Sequence, residues 1–151
     1  MASLVWIRRD LRTTDHPALL AAAAGEGPVH AVVVFTPETW RRHGVGANQL
    51  TLLCRRVQSL RAELEALGIP LHAVHANTFA GTPDALLTLA EHIGVDRLHY
   101  GLEHEVDERQ RDEVVRSAFE QAGKRVHAHH TQTLLPPDAI QTGTGGPYKV
   151  F

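Results

Sequence analysis

Short apolar runs alternate with amphipathic segments along most of this chain, and that alternation restricts the fold more than any other feature. Five runs rich in β-branched or bulky residues predict strands at residues 3–7, 29–35, 70–75, 97–101 and 125–129. The segments between them space their apolar residues as helices do and predict helices at 15–24, 47–67, 82–92 and 107–122. Strands that alternate with helices pair in parallel through right-handed crossovers. We therefore expect an α/β fold, a Rossmann-like, doubly wound, five-stranded parallel sheet with helices on both faces.

Capping and helix-breaking residues mark the limits of these elements. Asp15 is the expected cap of the first helix, which has Pro17 in its first turn and stops before Gly25. From residue 131 onward the chain is rich in proline and glycine, which is typical of an extended linker. We expect one domain at residues 1–130 and the start of a linker at residues 131–151.

Charge and cysteine content exclude several classes of protein. The formal net charge of -2 lacks the basic excess of a free-standing DNA-binding module. Cys54 is the only cysteine, so the chain can form neither an internal disulfide nor a cysteine-rich metal site. The apolar run at the N-terminus stops at Arg8, which is too early for a signal peptide, and residues 18–24 are too few to span a bilayer. These features predict a cytoplasmic protein without a membrane partner.

The loop after the first predicted strand, residues 8–15, contains no glycine. The usual dinucleotide site needs a G-x-G-x-x-G loop there, so that backbone N–H groups can surround a pyrophosphate. An ordinary NAD enzyme is therefore disfavoured. In this loop we expect Arg8 and Arg12 to form structural salt bridges with Asp10 and Asp15.

Two later loops hold side chains suited to a flat heteroaromatic ligand. Ligands of open α/β sheets bind outside the carboxyl ends of the strands. The loop after the second strand contains Trp40 and His43, and the loop after the fourth contains Glu103, Asp107 and Glu108. Rings can stack on such a ligand, and carboxylates can accept hydrogen bonds from its N–H and amino groups. We expect the two loops to converge and all five residues to bind a cofactor.

Four of these residues also have a purely structural interpretation. Trp40 can cover a helix end, and His43 is one of 11 histidines. Asp107 and Glu108 stand at the start of a helix, where acidic side chains are favoured by the helix dipole without any ligand. Two further histidines, at positions 127 and 129, share one strand face, but two ligands do not make a metal site, and we expect none.

Three groups of residues resemble one known family. The first is the run LVWIRRDLR at residues 4–12, followed by Asp15, His16, Pro17, Ala18 and Leu19. The second comprises Tyr100, Glu103, His104, Glu108, Arg111 and Asp112. The third comprises residues 135–137, Ile140, residues 142–143 and residues 148–151. In this order they resemble the N-terminal α/β, antenna-binding domain of the DNA photolyase and cryptochrome family.

The resemblance implies a parent deoxyribodipyrimidine photolyase, which repairs cyclobutane pyrimidine dimers in UV-damaged DNA with light. It implies FAD in a C-terminal helical domain outside these 151 residues, so no catalytic residue is expected here and the chain alone should be inactive. The family's antenna pigments are methenyltetrahydrofolate, deazaflavin and FMN. Folate is the first expectation, because His43, Asp107 and Glu108 fall on positions that resemble folate contacts. The alternatives are a cryptochrome-type blue-light receptor domain and a stand-alone nucleotide-binding α/β protein.

Overall fold

A computed structural model describes residues 1–136 and 139–146 of the chain. Its strands are β1 (Ala2–Trp6), β2 (Val29–Phe35), β3 (Leu71–His75), β4 (Val95–Gly101) and β5 (Arg125–His129). Its helices are α1 (Pro17–Ala23), α2 (Pro37–Arg42), α3 (Ala47–Glu65), α4 (Thr82–His92) and α5 (Val106–Gln121), with a 3-10 turn at Phe79–Gly81 before α4. All five predicted strands and all four predicted helices are present, with ends displaced by at most two residues.

The strands form one parallel sheet in the order β3-β2-β1-β4-β5. The chain runs outward from β1 to β3 in one direction and then crosses back to place β4 on the other side of β1. The connections therefore reverse direction between β1 and β4, which in open α/β sheets opens a crevice at the carboxyl ends of the strands. The predicted doubly wound fold is confirmed.

Helices cover both faces of the sheet, and each face has its own core. On one face, side chains such as Trp6 and Leu98 pack with Leu86 of α4 and Phe119 of α5. On the other face, alternate side chains of the same strands pack with α1 and α3. Because the central strands are buried on both sides, their sequences are nearly continuous apolar runs.

Two local predictions about helices were wrong. The predicted loop after β2 contains the helix α2, which starts at Pro37, and Trp40 lies within it. Proline is well suited to a first helical turn because it lacks a backbone N–H, and an N–H at that position would have no partner within the helix. The cap of α1 is His16 rather than Asp15, since the His16 Nδ1 accepts the N–H of Leu19 at 3.2 Å. Asp15 instead adopts a left-handed backbone conformation, with φ of 49°.

The segment after β5 is the one in which the sequence predicts a linker. Among its described residues, 131–136 and 139–146, there is no helix or strand. Residues 148–151, which belong to the family resemblance, lie outside the described residues, as do residues 137, 138 and 147. No helix in the described part of the chain is long and apolar enough to cross a membrane.

Candidate functional site

A cavity of about 450 Å³ opens at the carboxyl ends of the strands, where the crevice of this fold is expected. Trp40 and His43 reach it from the region of α2, Glu103 reaches it from the loop after β4, and Glu108 reaches it from the first turn of α5. The two regions predicted to converge therefore do so. Asp107 lies outside this cavity and borders a shallower neighbouring depression together with His43.

Aromatic and apolar side chains form much of the cavity wall. The Trp40 ring contacts Phe35 edge-on, with 5.7 Å between ring centroids. The His43 ring stands perpendicular to that of Phe79 at 5.6 Å, so both rings lie between the cavity and the neighbouring depression. Trp6 lines the inner wall. Such walls suit the faces of a flat ring system.

A buried network of charges lies beside these rings. The Nη2 of Arg111 donates to Glu103 at 2.6 Å and to Asp112 at 2.8 Å. The Nη1 of Arg8 donates to Asp112 at 2.6 Å. Both guanidinium groups lie over the Trp6 ring, at 4.7 Å for Arg111 and 4.4 Å for Arg8. The carboxylates are therefore charge-compensated, and they hold two cations against the ring.

Arg9 lies on the outside of the network and joins β1 to α5. Its guanidinium contacts Glu103 at 3.5 Å and Glu108 at 3.2 Å and also pairs with Glu105. The Arg9 side chain is 57% exposed, whereas those of Glu103 and Glu108 are almost fully buried. Glu108 thus faces the cavity with one oxygen engaged by a largely solvent-exposed guanidinium.

The fifth predicted residue, Asp107, pairs with His43. The His43 Nε2 lies 3.1 Å from the Asp107 Oδ2, and both side chains are partly exposed. Asp107 also lies in the first turn of α5, where the helix dipole favours a negative charge. The pair spans the gap between α2 and α5 at the rim of the cavity.

Several residues of the site were not predicted from the sequence. Arg8, Arg9 and Arg111 line the cavity, as do Phe79 and Thr82. Phe79 and Thr82 follow β3, whose carboxyl end faces the same edge of the sheet, so topology alone could have included them. Arg111 lies three residues after Glu108, which places both on one face of α5.

The predicted salt bridges of Arg8 and Arg12 with Asp10 and Asp15 are not formed, because both arginine side chains have other partners. Asp10 accepts the backbone N–H of Arg8 at 3.0 Å, while the Arg8 side chain reaches across to α5. The Arg12 guanidinium donates to the carbonyl oxygens of Thr14 and Asp15 rather than to a carboxylate. The Nε2 of His16 lies 3.3 Å from the Asp10 carboxylate instead.

The histidines of β4 and β5 form a separate cluster. The His99 ring stacks on His127 at 4.8 Å and on His129 at 5.5 Å between centroids. The Nδ1 of His99 lies 3.2 Å from the Nε2 of His129. Within residues 1–136 and 139–146, no three His, Cys, Asp or Glu side chains are grouped so as to hold a metal ion.

Comparison with known proteins gives a consistent result. The family model described as DNA photolyase matches residues 3–151. The chain is 35% identical over 148 residues to the deoxyribodipyrimidine photo-lyase of Vibrio cholerae, covering 98% of this chain and 32% of the relative. A bacterial class III photolyase structure from Agrobacterium tumefaciens has a TM-score of 0.76 at 26% identity, covering 99% of this chain and 30% of that one.

An archaeal photolyase from Sulfolobus tokodaii, solved with two FAD molecules, shares the fold, with a TM-score of 0.77 at 20% identity. The match covers 94% of this chain and 32% of the archaeal chain. The 151 residues thus span about a third of the length of the relatives they match.

Proposed function

This chain belongs to the DNA photolyase family, and from that membership we propose that it is the antenna-binding domain of a deoxyribodipyrimidine photolyase. The parent enzyme would repair cyclobutane pyrimidine dimers in UV-damaged DNA with light. Its catalytic FAD would lie in a C-terminal domain, the partner of residues 1–130, with residues 131–151 starting the connection. The proposal is supported by relatives about three times as long that bear the name deoxyribodipyrimidine photo-lyase.

The cavity at the carboxyl ends of the strands is the observation that supports an antenna site. It combines aromatic walls from Trp40 and Phe79 with buried carboxylates at Glu103 and Glu108. Rings contact the faces of a flat pigment, while carboxylates accept hydrogen bonds from its N–H edge. This set of groups fits both a pterin and a flavin-type ring. When bound, the pigment would absorb light and pass excitation to the FAD of the parent.

We propose methenyltetrahydrofolate as the first candidate pigment, with deazaflavin and FMN as alternatives. Glu108 has a carboxylate at the cavity wall that could accept a pterin N–H if Arg9 moved outward. Asp107 would contact the same ligand only after separating from His43, because it faces the neighbouring depression. In the flavin alternative, the pigment would lie wholly inside the cavity lined by Trp40 and Glu108 and leave that pair intact.

Titration of the 151-residue chain with methenyltetrahydrofolate and with FMN tests the site. We expect at least one pigment to bind and Glu108→Gln to weaken folate binding by about tenfold, since a charge-assisted hydrogen bond is lost. Glu120→Gln, on the exposed side of α5, is the matched control. If neither pigment binds the chain or its longer parent, the antenna proposal is wrong. If FMN alone binds, folate is the wrong pigment, but the proposal that the cavity is the antenna site is retained.

Asp107→Asn separates the two pigments further. Asparagine keeps the shape of the side chain but replaces one acceptor oxygen with a donor and removes the carboxylate that contacts His43. We expect this variant to bind folate more tightly than the wild type and FMN equally well. If the folate affinity of this variant is unchanged, Asp107 does not contact the pigment and acts only at the start of α5.

A further inference from the structure

Strand β5 forms one edge of the sheet, and in the described part of the chain no strand lies on its outer side. The backbone N–H of Leu102 donates to the carbonyl of His129 at 2.7 Å, so the backbone groups of His129 point toward β4. Backbone groups alternate in direction along a strand, so those of Val126 and Ala128 point outward. Ala128 is also exposed. The N–H and C=O groups of both residues are therefore open to a further strand.

A row of basic side chains lies on one face of the sheet beside this edge. We call it the basic strip, and its members are Arg97, His99, Arg125, His127 and His129. The register places Arg97 directly beside Arg125, and His99 directly beside His127. Farther in, α1 and α3 cover the same face, but among the described residues their apolar core includes none from β4 or β5. Arg125 and His127 are exposed, so the outer part of the strip is accessible.

The arginines of the basic strip lack acidic partners. Arg97 donates to the carbonyl oxygens of Met1 and Glu26, at 3.4 Å each, and Arg125 contacts the sulfur of Met1. Within residues 1–136 and 139–146, no carboxylate forms an ion pair with either arginine. Like charges directly opposite each other on neighbouring strands destabilise a sheet. Carboxylates bound at this face would reduce that repulsion.

The same charges argue against a second copy of β5 as the occupant of the edge. Pairing of two such edges would bring one basic strip beside another, and charged side chains at a sheet edge oppose self-association of this kind. A complementary strand instead has a carboxylate at every second residue, because residues opposite Arg125 and His127 lie on the face of the basic strip. The positions between them lie opposite Val126 and Ala128 on the other face, where apolar side chains fit.

We propose that the open edge of β5 binds an extended segment of a partner protein in which acidic and apolar residues alternate. The segment adds a sixth strand to the five-stranded sheet. Its backbone pairs with the outward groups of Val126 and Ala128, and its carboxylates accept hydrogen bonds from Arg125 and His127. None of these four residues lines the cavity that contains Trp40 and Glu108, so the surface is separate from the proposed antenna site.

Fluorescence anisotropy with labelled peptides tests the chemistry of the partner. The probe is Glu-Val-Glu-Val-Glu-Val-Glu, and the controls are the same residues in the order Glu-Glu-Glu-Glu-Val-Val-Val and a peptide with lysine in place of each glutamate of the probe. We expect the alternating acidic peptide to bind and both controls to bind at least about tenfold more weakly. Equal binding of the two acidic peptides, or tighter binding of oligo(dT), would show a general attraction for anions and overturn the proposal.

Two variants test the contacts. Arg125→Glu should weaken binding of the alternating acidic peptide by about tenfold or more and strengthen binding of the lysine peptide, since the charge-assisted hydrogen bonds are lost and the charge is reversed. Ala128→Pro removes an outward N–H but leaves the ladder with β4 intact, so it should weaken the acidic peptide to a similar extent and melt close to the wild type. Arg55→Glu, at an exposed position of α3, is the matched control and should bind as the wild type does.

Unchanged affinity in either Arg125→Glu or Ala128→Pro would overturn the proposal. A clearly lower melting temperature of Ala128→Pro would contradict the outward direction of that N–H and the open edge with it. The same titration with the longer parent tests the source of the segment. If the 151-residue chain binds the alternating peptide and the parent does not, the rest of the parent covers the edge, and the assignment to a partner protein is wrong.

Discussion

His99 is a buried histidine that the fold holds in its neutral form. The residue is 5% exposed and stacks on the rings of His127 and His129. Burial, together with the smaller effects of His127, His129 and Arg97, lowers the pKa of His99 to about 4. The pKa of His129 is also lowered, again mainly by burial. These rings therefore bind a proton less readily in the folded protein than in the unfolded chain.

This difference predicts a loss of stability in mild acid. An unfolded histidine takes up a proton near pH 6.5, whereas folded His99 does so only near pH 4, so stability present at pH 7 should fall as pH drops through that window. The His99 contribution is at most about 3 kcal/mol, at about 1.4 kcal/mol for each tenfold difference in proton affinity. Urea unfolding of wild type and His99→Gln at pH 7 and pH 4.5 measures it. His99→Gln should lose less stability on acidification than the control His104→Gln, and equal losses would contradict the prediction.

Gly101 provides space at the end of β4 for the first residues of the linker. A Cβ at this position would overlap the Oγ1 of Thr131 and lie 2.8 Å from the Oδ2 of Asp10. The absence of a side chain thus lets residue 131 pass close to the sheet.

We expect Gly101→Ala to destabilise the chain by about 1–3 kcal/mol, the usual cost of overpacking. Thr131→Ala in the same chain should recover part of that loss, since it removes the overlapping hydroxyl. Gly143→Ala is the matched control, because a Cβ there meets no atom within 4 Å. Chemical denaturation of the four chains measures the effect, and a fully stable Gly101→Ala would show that residue 131 does not pack where the structure has it.

At the scale of secondary structure, α5 contributes the charges that connect it to β1 and β4. Arg111 lies on the buried side of this helix, with its guanidinium between the rings of Trp6 and Phe79 at 4.7 and 4.6 Å. It compensates Glu103 and Asp112. The position of the helix therefore depends on ionic and ring contacts as well as on its apolar side chains.

Arg111→Met should destabilise the fold by about 2–3 kcal/mol, because Glu103 and Asp112 lose a buried charged hydrogen-bond donor while Arg9 and Arg8 remain beside them. Addition of Glu103→Gln should restore part of the stability by removing one of those charges. Arg116→Met, which breaks an exposed pair with Glu113, should change stability by less than about 1 kcal/mol. Thermal and urea unfolding compare the stability of these variants with that of the wild type. Similar losses of stability in Arg111→Met and Arg116→Met would mean that the buried network contributes little to the stability of the fold.

Strands and long helices were predictable because burial shapes their sequences directly. The central strands are buried on both faces and so are apolar at nearly every position, and α3 and α5 have clear helical spacing. Helix α2 has six residues, too few for periodicity to show, so its region was predicted as a loop. The same region still provided Trp40 and His43, since position after β2 decides which edge of the sheet they reach.

The location of the cavity was predictable from the sequence, but the pairs formed by its side chains were not. Convergence of the two loops was predictable because both follow strands of a parallel sheet and so lie at the same edge, and the strand order then brings the ends of β1, β2 and β4 together. The pairing of Arg9 with Glu108 and of His43 with Asp107 depends on side-chain reach across elements that are distant in sequence. No spacing pattern encodes such contacts, and the same was true of Arg8 and Asp112.

At the scale of the whole molecule, net charge limits what the chain can bind. The formal charge is -2, and the arginines nearest the cavity are engaged by carboxylates. We expect binding to duplex DNA, irradiated or not, to be no tighter than the roughly 1–100 μM typical of non-specific contacts, and to weaken as salt is raised. Fluorescence anisotropy with both duplexes measures it. A damage-selective complex at physiological salt with nanomolar affinity would contradict the prediction.

The strand order also has a consequence for how the chain folds. The first strand to be synthesised, β1, occupies the middle of the sheet, and its two neighbours are β2 and the much later β4. One edge of β1 can pair early, but the other must wait for about ninety further residues. Until then the backbone N–H and C=O groups on one edge of this apolar strand remain unpaired, and long-range pairing of this kind is slow and exposes the chain to aggregation. A nascent chain stopped between β3 and β4 would therefore be the most dependent on chaperones, because one side of β1 still lacks its neighbouring strand.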